Sequence, residues 1–193
     1  MSFTIGADNI FIGRRAAQFI SSASATRSPK VLILEGVIGS PPSTDRVLGF
    51  KQELPKLMPG AQIVGCKSAE WDRLRALNIT ADTLARSPDL SVVFAANDVM
   101  ALGAVEAIRA AGKTRQVIVI GVDGISDARK AILAGHMTAS ITQLPYLIGK
   151  RSAEMAVQSV HGQCHEKTER APLLVLTKKL LQSQQEPLLK YLR

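Results

Sequence analysis

The stretch VVFAANDVMALGAVEAIRAAGK, from Val92 to Lys113, contains the change of pattern that decides the fold. It opens as a continuous apolar run, is interrupted at Asn97 and Asp98, and continues with apolar residues at helical spacing up to Gly112. A continuous apolar run of this kind is typical of a strand that is buried on both faces of a parallel sheet. The stretch therefore predicts a βα unit in which Asn97 and Asp98 follow the carboxyl end of the strand.

The same alternation of apolar runs and helical patterns continues along most of the chain. The strand-like runs are Phe3–Ile5, VLILEGV, AQIVGC, LSVVFAA, QVIVIGV, MTASITQ and LLVLTKKL. The helical patterns between them span Ile10–Ile20, Asp45–Met58, Trp71–Arg86, Val99–Ala111, Ser126–Ala134 and Tyr146–Val160. Alternating strands and helices of this kind indicate βαβ units. We therefore predict an α/β fold, an open doubly wound parallel sheet with helices on both faces.

The composition is that of an ordinary globular protein, with 193 residues, of which 46% are hydrophobic and 21% are charged. No apolar run approaches the roughly 18 residues that span a membrane, and the first residues lack the basic and apolar regions of a secretory signal.

The net charge of +8 is compatible with nucleic-acid binding. However, the basic residues are scattered and no aromatic stacking platform accompanies them, so we predict no nucleic-acid partner. Cys66 and Cys164 lack metal-ligand spacing and are predicted as free thiols, with a disulfide between them left open.

Side chains that would form a catalytic or metal site are not arranged in a recognisable order. The sequence contains no glycine-rich phosphate loop, and the histidines at 136, 161 and 165 do not pair with a nucleophile or a carboxylate in a triad-like order. His161 and His165 share the i, i+4 spacing of metal ligands, but Gly162 interrupts the helix between them. We predict that the protein is not an enzyme and that it holds no cofactor and no metal.

Polar or aromatic side chains follow most of the predicted strands. In an open α/β sheet, ligands bind outside the carboxyl ends of the strands, so the residues after each apolar run are the candidates. They are Asp8, Arg46, Trp71, Asn97, Asp123 and Gln143. Carboxylates and carboxamides bind paired hydroxyls, arginine donates through a rigid fork, and an indole lies on the apolar face of a sugar ring. This set of side chains therefore predicts a site for a neutral polyol.

Each candidate also has a purely structural interpretation. Asn97 is as compatible with capping the following helix as with binding a ligand, whereas the position of Asp98 favours a helix cap. Asp123 is compatible with a turn, Trp71 with a core residue, and Arg46 with a solvated helix residue. The functional interpretation therefore depends on whether the candidates meet at one edge of the sheet.

Several motifs, in order along the chain, resemble those of one known family. They are IGADN, EGVIGS…DRVLGF, AEWDR, VVFAANDVMALGAVEAIRAAGK, VIVIGVDG and ARKAILAGHMTASITQLPYLIGK, and they extend from about Ile5 to Leu176. They resemble bacterial periplasmic sugar-binding proteins of the ribose, allose and galactose type, the receptors of ABC sugar importers. The resemblance implies a Rossmann-like lobe of a type I periplasmic binding protein and a monosaccharide ligand, either a pentose or a hexose. It also implies importer membrane subunits as partners and, for the full-length protein, a periplasmic location.

The resemblance further implies a role for each candidate residue. The residues expected to hydrogen-bond the sugar are Arg46, Asn97, Asp123 and Gln143. Trp71 is expected to stack on the sugar ring. Asp8 corresponds to the first hinge crossing between two lobes, and Gln143 corresponds to the second.

Proteins of this family have an N-terminal lobe of about a hundred residues before the first hinge strand, and this chain resembles the C-terminal lobe alone. The resemblance implies a sugar-binding lobe over residues 1–145, a helix over 146–165 that packs on the other lobe, a returning strand over 166–182 and a tail over 183–193. A lone lobe is expected to bind sugar weakly. The unpartnered apolar side of the helix over 146–160 predicts a homodimer, unless that helix folds back onto this lobe.

A second class of protein shares the fold and the Arg, Asn and Asp positions. It is the sugar-effector lobe of a transcription regulator of the lactose-repressor type. The segment AGHMTASITQLPYLIG is more similar to the transport receptors. The two hypotheses differ in what lies upstream in the gene, a signal peptide for a receptor or a helix-turn-helix module for a repressor.

Overall fold

Strands and helices alternate along the chain, as the sequence pattern predicts. In a computed structural model of the chain, residues 3–161, 167–183 and 185–192 are described. The strands are β1 (Phe3–Gly6), β2 (Lys30–Glu35), β3 (Gln62–Ser68), β4 (Leu90–Ala95), β5 (Ile118–Val122), β6 (Ala139–Thr142), β7 (Lys167–Arg170) and β8 (Leu174–Thr177). The helices are α1 (Asn9–Ala23), α2 (Pro41–Leu57), α3 (Arg73–Arg86), α4 (Asp98–Ala110), α5 (Ser126–Leu133), α6 (Pro145–Val160) and α7 (Lys178–Ser183), followed by a 3₁₀ helix at Pro187–Tyr191.

The main sheet contains six strands in the order β3-β2-β4-β5-β6-β8. Neighbouring strands are parallel from β3 to β6, and β8 pairs with β6 in the antiparallel direction. Strand β1 pairs in parallel with β7 in a separate two-stranded sheet. The predicted open parallel sheet is therefore confirmed. The antiparallel edge strand and the separate strand pair were not predicted.

The inner strands of the main sheet, β2, β4, β5 and β6, are buried on both faces, whereas the edge strand β3 is partly exposed. In β2, Leu32 and Leu34 belong to one apolar cluster, whereas Val31 and Ile33 belong to the other. Helices α1 and α2 cover the face that carries Val31, and α3, α4 and α5 cover the opposite face. This double burial explains why the strands are continuous apolar runs rather than alternating ones.

Helices α1 and α2 cross at close range because glycine lies at both contact points. A side chain at Gly13 of α1 would overlap the backbone carbonyl of Arg46, and a side chain at Gly49 of α2 would overlap the backbone of α1. Phe50 of α2 stacks on Phe94 of β4, with the ring centroids 4.4 Å apart. These contacts fix α2 against both α1 and the sheet, and they thereby set the position of Arg46.

Helix α6 packs against the separate strand pair. It contacts β1, and Nε of Arg151 donates to Oε1 of Glu169 in β7 at 3.0 Å. Met155 is buried, whereas Val157 and Val160 are 58% and 85% exposed. The helix therefore covers β1 and β7 with one side and exposes apolar side chains on another.

The C-terminal region differs most from the sequence pattern. The predicted strand LLVLTKKL is wrong in its second half, because β8 ends at Thr177 and helix α7 begins at Lys178. In the tail, Tyr191 stacks on Tyr146 at the start of α6, with the ring centroids 5.2 Å apart. Tyr191, in the described part of the tail, is thus held against the start of α6 by an aromatic contact.

Two further sequence predictions concern thiols and membranes. Cys66 is a free thiol, while Cys164, like His165, lies outside the described residues. In the ranges that the structure describes, every helix is too short or too polar to span a bilayer.

Candidate functional site

Arg46 is the buried centre of the candidate site. It lies in the second turn of α2, and only 6% of its surface is exposed. Its Nε donates to Oδ1 of Asn9 at 3.0 Å, and its Nη1 donates to the carbonyl oxygen of Ala96 at 2.6 Å. Burial lowers the pKa of this guanidinium, and the carboxylates of Asp123 and Asp98 raise it in part. The interpretation of Arg46 as a solvated helix residue is therefore wrong.

Asp123 and Gln143 reach Arg46 from the ends of two strands. Asp123 follows β5, and its Oδ1 lies 3.5 Å from Nη1 of Arg46. Gln143 follows β6, and its Nε2 donates to the same Oδ1 at 3.1 Å. Burial raises the pKa of Asp123, and its contacts with Arg46 and Gln143 lower it in part. Three of the candidate residues therefore meet at one carboxylate oxygen.

Asn97 lies beside this cluster, directly after the Ala96 carbonyl that Arg46 binds. Its Oδ1 accepts a hydrogen bond from the backbone N–H of Met100 at 2.9 Å, so Asn97 is the N-cap of α4. Among the described residues, its Nδ2 has no acceptor, and the side chain is half-buried. The oxygen of Asn97 thus caps the helix, and its amide nitrogen is left available to a ligand.

Asp98 does not cap α4, and that prediction is wrong. Its buried carboxylate accepts hydrogen bonds from the backbone N–H of Gly124 at 2.7 Å and of Ile125 at 3.0 Å, and the Ser140 hydroxyl donates to it at 2.7 Å. Burial raises the pKa of Asp98 to about 7, although these donors act to lower it. The cap is one residue earlier because Asn97 has the extended backbone of a cap, with φ −146° and ψ 171°, while Asp98 is already helical.

Trp71 lies in the loop between β3 and α3, not in the helix where the pattern placed it. Asp72 caps α3, and its Oδ1 accepts from the backbone N–H of Arg75 at 2.7 Å. The backbone of Trp71 has a φ of 62°, in the left-handed region. Its half-buried indole lies on Gly36 at the end of β2, where any side chain would overlap the ring. Trp71 therefore lies at the carboxyl edge of the sheet, as do the residues around Arg46.

Asp8 and Asn9 follow β1, and the structure gives them different contacts. Asp8 caps α1 by accepting from the N–H of Phe11 at 2.9 Å, and its Oδ2 lies 3.3 Å from Nε of Arg170. Asn9 is the residue that contacts Arg46. Asn9 also follows the first strand, next to Asp8 in the motif IGADN, but only Asp8 was predicted to belong to the site.

The cluster presents hydrogen-bond donors and acceptors at the same edge of the sheet. Arg46, Asn97 and Gln143 supply N–H groups, and Asp123 supplies a carboxylate. Because each sugar hydroxyl can donate and accept, this mixture suits a polyol. In the described part of the chain, no three His, Cys, Asp or Glu side chains are placed to hold a metal ion. A cavity of about 240 Å³ lies elsewhere, between α6 and the β1–β7 pair.

Comparison with known proteins identifies the family. Residues 1–164 match the family described as a periplasmic binding protein domain. Over 177 residues, the chain is 33% identical to the D-allose-binding periplasmic protein of Escherichia coli K12, a match that covers 92% of this chain and 57% of that protein. Over 175 residues, it is 39% identical to the ribose import binding protein RbsB of Bacillus subtilis 168, covering 91% of this chain and 55% of that protein.

A similar solved structure supports the same assignment. It is an ABC transporter periplasmic solute-binding protein from Actinobacillus succinogenes 130z with bound D-allose, with a TM-score of 0.86 and 32% identity over 92% of this chain and 63% of that one. The chain spans little more than half the length of the curated relatives that it matches. Because the family match includes every strand of the main sheet except β8, and all the candidate site residues, this chain belongs to the periplasmic binding protein family.

Proposed function

We propose that this chain is the C-terminal sugar-binding lobe of the substrate-binding component of an ABC sugar importer. The observation that carries the proposal is the meeting of Arg46, Asp123 and Gln143 at the carboxyl edge of the sheet. The names of two relatives refer to D-allose and ribose, and a similar solved structure contains D-allose. These names favour an import receptor over the effector lobe of a repressor. The ligand is a monosaccharide, and the full-length protein would meet the importer membrane subunits in the periplasm.

The proposed mechanism is capture of the sugar without a covalent step. The Arg46 guanidinium donates to the sugar hydroxyls or the ring oxygen, and the Asp123 carboxylate accepts from hydroxyls. Asn97 and Gln143 complete the hydrogen bonds from the two neighbouring strand ends. The indole of Trp71 offers an apolar surface to the ring. The relatives are solute-binding proteins, and the proposal includes no reaction, no cofactor and no nucleic acid.

We expect the chain to bind sugar weakly. The candidate residues lie at one open edge, and the Asp123 side chain is still 35% exposed. A hydrogen bond that forms in contact with water replaces another hydrogen bond to water, so its net contribution is small. We therefore expect a dissociation constant in the millimolar range, which corresponds to a binding free energy of about −4 kcal/mol.

Trp71 is the only tryptophan in the chain and provides the signal for a direct test. The protein would be titrated with ribose, allose, galactose and glucose while indole fluorescence is followed, with sucrose as an osmotic control. We expect a saturable change for at least one monosaccharide, and its loss in Asp123→Ala. Asp127→Ala is the matched control, because the Asp127 side chain on α5 is 63% exposed. Calorimetry at the same sugar concentrations would check the result without relying on Trp71.

Two outcomes would contradict the proposal. The absence of both a fluorescence change and binding heat for all four sugars would contradict a sugar site on this chain. Micromolar or tighter binding by the monomer would contradict weak capture at an open edge.

We also propose a homodimer through the exposed side of α6. Val157 and Val160 are 58% and 85% exposed there, and neighbouring exposed apolar side chains favour association.

The division of the chain into residues 1–145, 146–165, 166–182 and 183–193 stays a prediction.

A further inference from the structure

Asp98 is a buried carboxylate that the proposed sugar contacts do not use. None of its surface is exposed. Its Oδ2 accepts from the backbone N–H of Gly124 at 2.7 Å and of Ile125 at 3.0 Å, and its Oδ1 accepts from the Ser140 hydroxyl at 2.7 Å. These donors belong to the loop after β5 and to β6, whereas Asp98 belongs to α4. One side chain therefore ties the loop that carries Asp123 to two other elements.

The turn that Asp98 holds has an unusual backbone. Asp123 has a φ of 115° and Gly124 a φ of 73°, so two consecutive residues lie at positive φ. Gly124 is required there for a second reason, because a side chain at this position would press against Thr142. A non-glycine residue at positive φ persists only where its surroundings enforce it. The hydrogen bonds from the next two N–H groups to Asp98 are contacts of that kind.

The sequence also leaves room for the Asp98 carboxylate. A side chain at Gly121 would overlap Oδ1 of Asp98. The motif GVDG, residues 121–124, thus has one glycine beneath the carboxylate and one in the turn that the carboxylate holds. A carboxylate suits this position, because one oxygen accepts two adjacent N–H groups while the other accepts a hydroxyl. An alanine would remove the acceptor of the Ile125 N–H.

We propose that Asp98 is a positioning residue of the sugar site, which fixes the Asp123–Gly124 turn and so orients the Asp123 carboxylate towards Arg46 and Gln143. Its role in binding rests on the proposed function, whereas its role in the turn rests on the hydrogen bonds alone. Asp98 does not touch the sugar, because its own carboxylate is buried and occupied by protein donors.

The first test uses the wild-type chain and the amide NMR signals of Gly124 and Ile125. Burial raises the pKa of Asp98 to about 7, and the charged groups that act on it are the carboxylate of Asp123 and the guanidinium of Arg46. If Asp98 is the acceptor, both amide signals shift with one common midpoint near that pH, since the charge of their acceptor changes. Asp123→Asn removes a charge that raises the pKa of Asp98, so the midpoint should move. The titration itself should remain, because Asp98 is unchanged and Arg46 does not titrate. Amide signals that do not titrate, or that titrate only while Asp123 is present, would overturn the proposal.

The second test compares Asp98→Ala with Asp98→Asn. The alanine variant removes the acceptor of the Ile125 N–H, whereas the Gly124 N–H keeps the Ser140 hydroxyl oxygen at 3.0 Å. We therefore expect faster amide exchange at Ile125 and sugar affinity lower by about tenfold. The asparagine variant keeps an acceptor oxygen, so affinity should stay within about threefold of wild type while the titration of the two amides disappears. Val105→Ala is the matched control, because this buried residue lies two turns further along α4 and its truncation lowers stability without touching the turn.

The outcomes separate the two proposals. If Asp98→Ala weakens sugar binding no more than Val105→Ala does, and the Ile125 amide stays protected from exchange, the positioning role alone is overturned. Absence of sugar binding by the wild-type chain overturns the proposed function and, with it, the role of Asp98 in binding. If Asp98→Ala does not fold, the wild-type titration and the Asp98→Asn variant decide the question.

Discussion

The guanidinium of Arg46 lies 3.5 Å from the carboxylate of Asp123, and the two residues come from α2 and from the end of β5. The same guanidinium nitrogen binds the carbonyl of Ala96 at the end of β4. Arg46 therefore links a helix on one face of the sheet to the ends of two strands. Removing the guanidinium would leave the buried Ala96 carbonyl without its donor, and an unsatisfied buried acceptor costs more than its hydrogen bond contributes. Arg46 is thus expected to matter for stability as well as for sugar binding.

The substitution Arg46→Lys should weaken sugar binding by about tenfold. Its effect on the free energy of unfolding should be smaller than that of Arg46→Ala. Lysine keeps the charge, but its single ammonium cannot bond Asn9, Ala96 and Asp123 in the geometry of the guanidinium fork. Arg46→Ala should in addition lower the free energy of unfolding by about 2 kcal/mol, since the buried Ala96 carbonyl loses its donor. Sugar titration and urea unfolding measure the two effects.

The control for Arg46 is Arg14→Ala. Arg14 is an exposed arginine on α1 whose Nη2 donates to Gln52 at 3.3 Å. Its removal should change the free energy of unfolding by less than about 0.5 kcal/mol and leave sugar binding unchanged. Equal losses in Arg46→Ala and Arg14→Ala would contradict a central role for Arg46.

The substitution Gly36→Ala should displace the indole of Trp71. The added methyl group would overlap the ring, so either the side chain or its left-handed backbone must move. We expect a shift of the Trp71 emission maximum and a loss of about 2 kcal/mol in the free energy of unfolding, the usual cost of overpacking. Gly149→Ala on α6 is the control, since nothing lies near its Cβ position and alanine favours a helix. An unchanged emission spectrum in Gly36→Ala would show that Trp71 does not rest on Gly36.

The pH dependence of stability should carry the signature of Asp98. Its pKa rises from an ordinary value of 3.8 to about 7 on folding, so the folded chain binds this proton more tightly than the unfolded chain. The resulting stabilisation is full at acidic pH, falls by up to about 1.4 kcal/mol per pH unit as the pH rises through this interval, and is lost above about pH 7. Urea unfolding of the wild type and of Asp98→Asn at several pH values tests this, because subtraction removes the contribution of other groups. A difference between the two proteins that does not change with pH would contradict the raised pKa.

The proposed homodimer predicts that charges on the outer side of α6 abolish association. The double substitution Val157→Glu and Val160→Glu places two like charges on each copy of the exposed side, and it should give a monomer at every concentration. Leu74→Glu is the control, because Leu74 is 64% exposed on α3, away from α6. Sedimentation velocity over a range of concentrations makes the measurement. A wild-type chain that stays monomeric would contradict the dimer.

The main sheet and the proximity of three candidate residues, Arg46, Asp123 and Gln143, were predictable for one physical reason. The runs VLIL in β2 and VVFA in β4 are apolar at every position because both faces of these strands are covered. Parallel strands bring their carboxyl ends to one edge, so Asp123 and Gln143 had to lie near each other once β5 and β6 were neighbours. Arg46 was expected at the same edge because the loop after β2 leads directly into α2, which carries Arg46 in its second turn.

Other features depend on contacts that no local pattern contains. The cap of α4 is Asn97 rather than Asp98 because of a difference in φ and ψ between adjacent residues that are both good caps. The burial of Arg46 depends on how closely α1 approaches α2, which the glycines at 13 and 49 permit. Strand β7 has the sequence KTER, without an apolar run, so its pairing could not be read from hydrophobicity.

The pairing of β1 with β7 also sets an order of events during synthesis. When each of the strands β3, β4, β5 and β6 is made, its partner in the main sheet already exists, so these strands can pair soon after they emerge. Strand β1 is made before these strands, yet its partner β7 is not complete until residues 167–170 have been made. Closing a loop of nearly the whole chain is entropically costly and slow. We therefore expect β1, together with the contact between Asp8 and Arg170, to be among the last parts of the described chain to form.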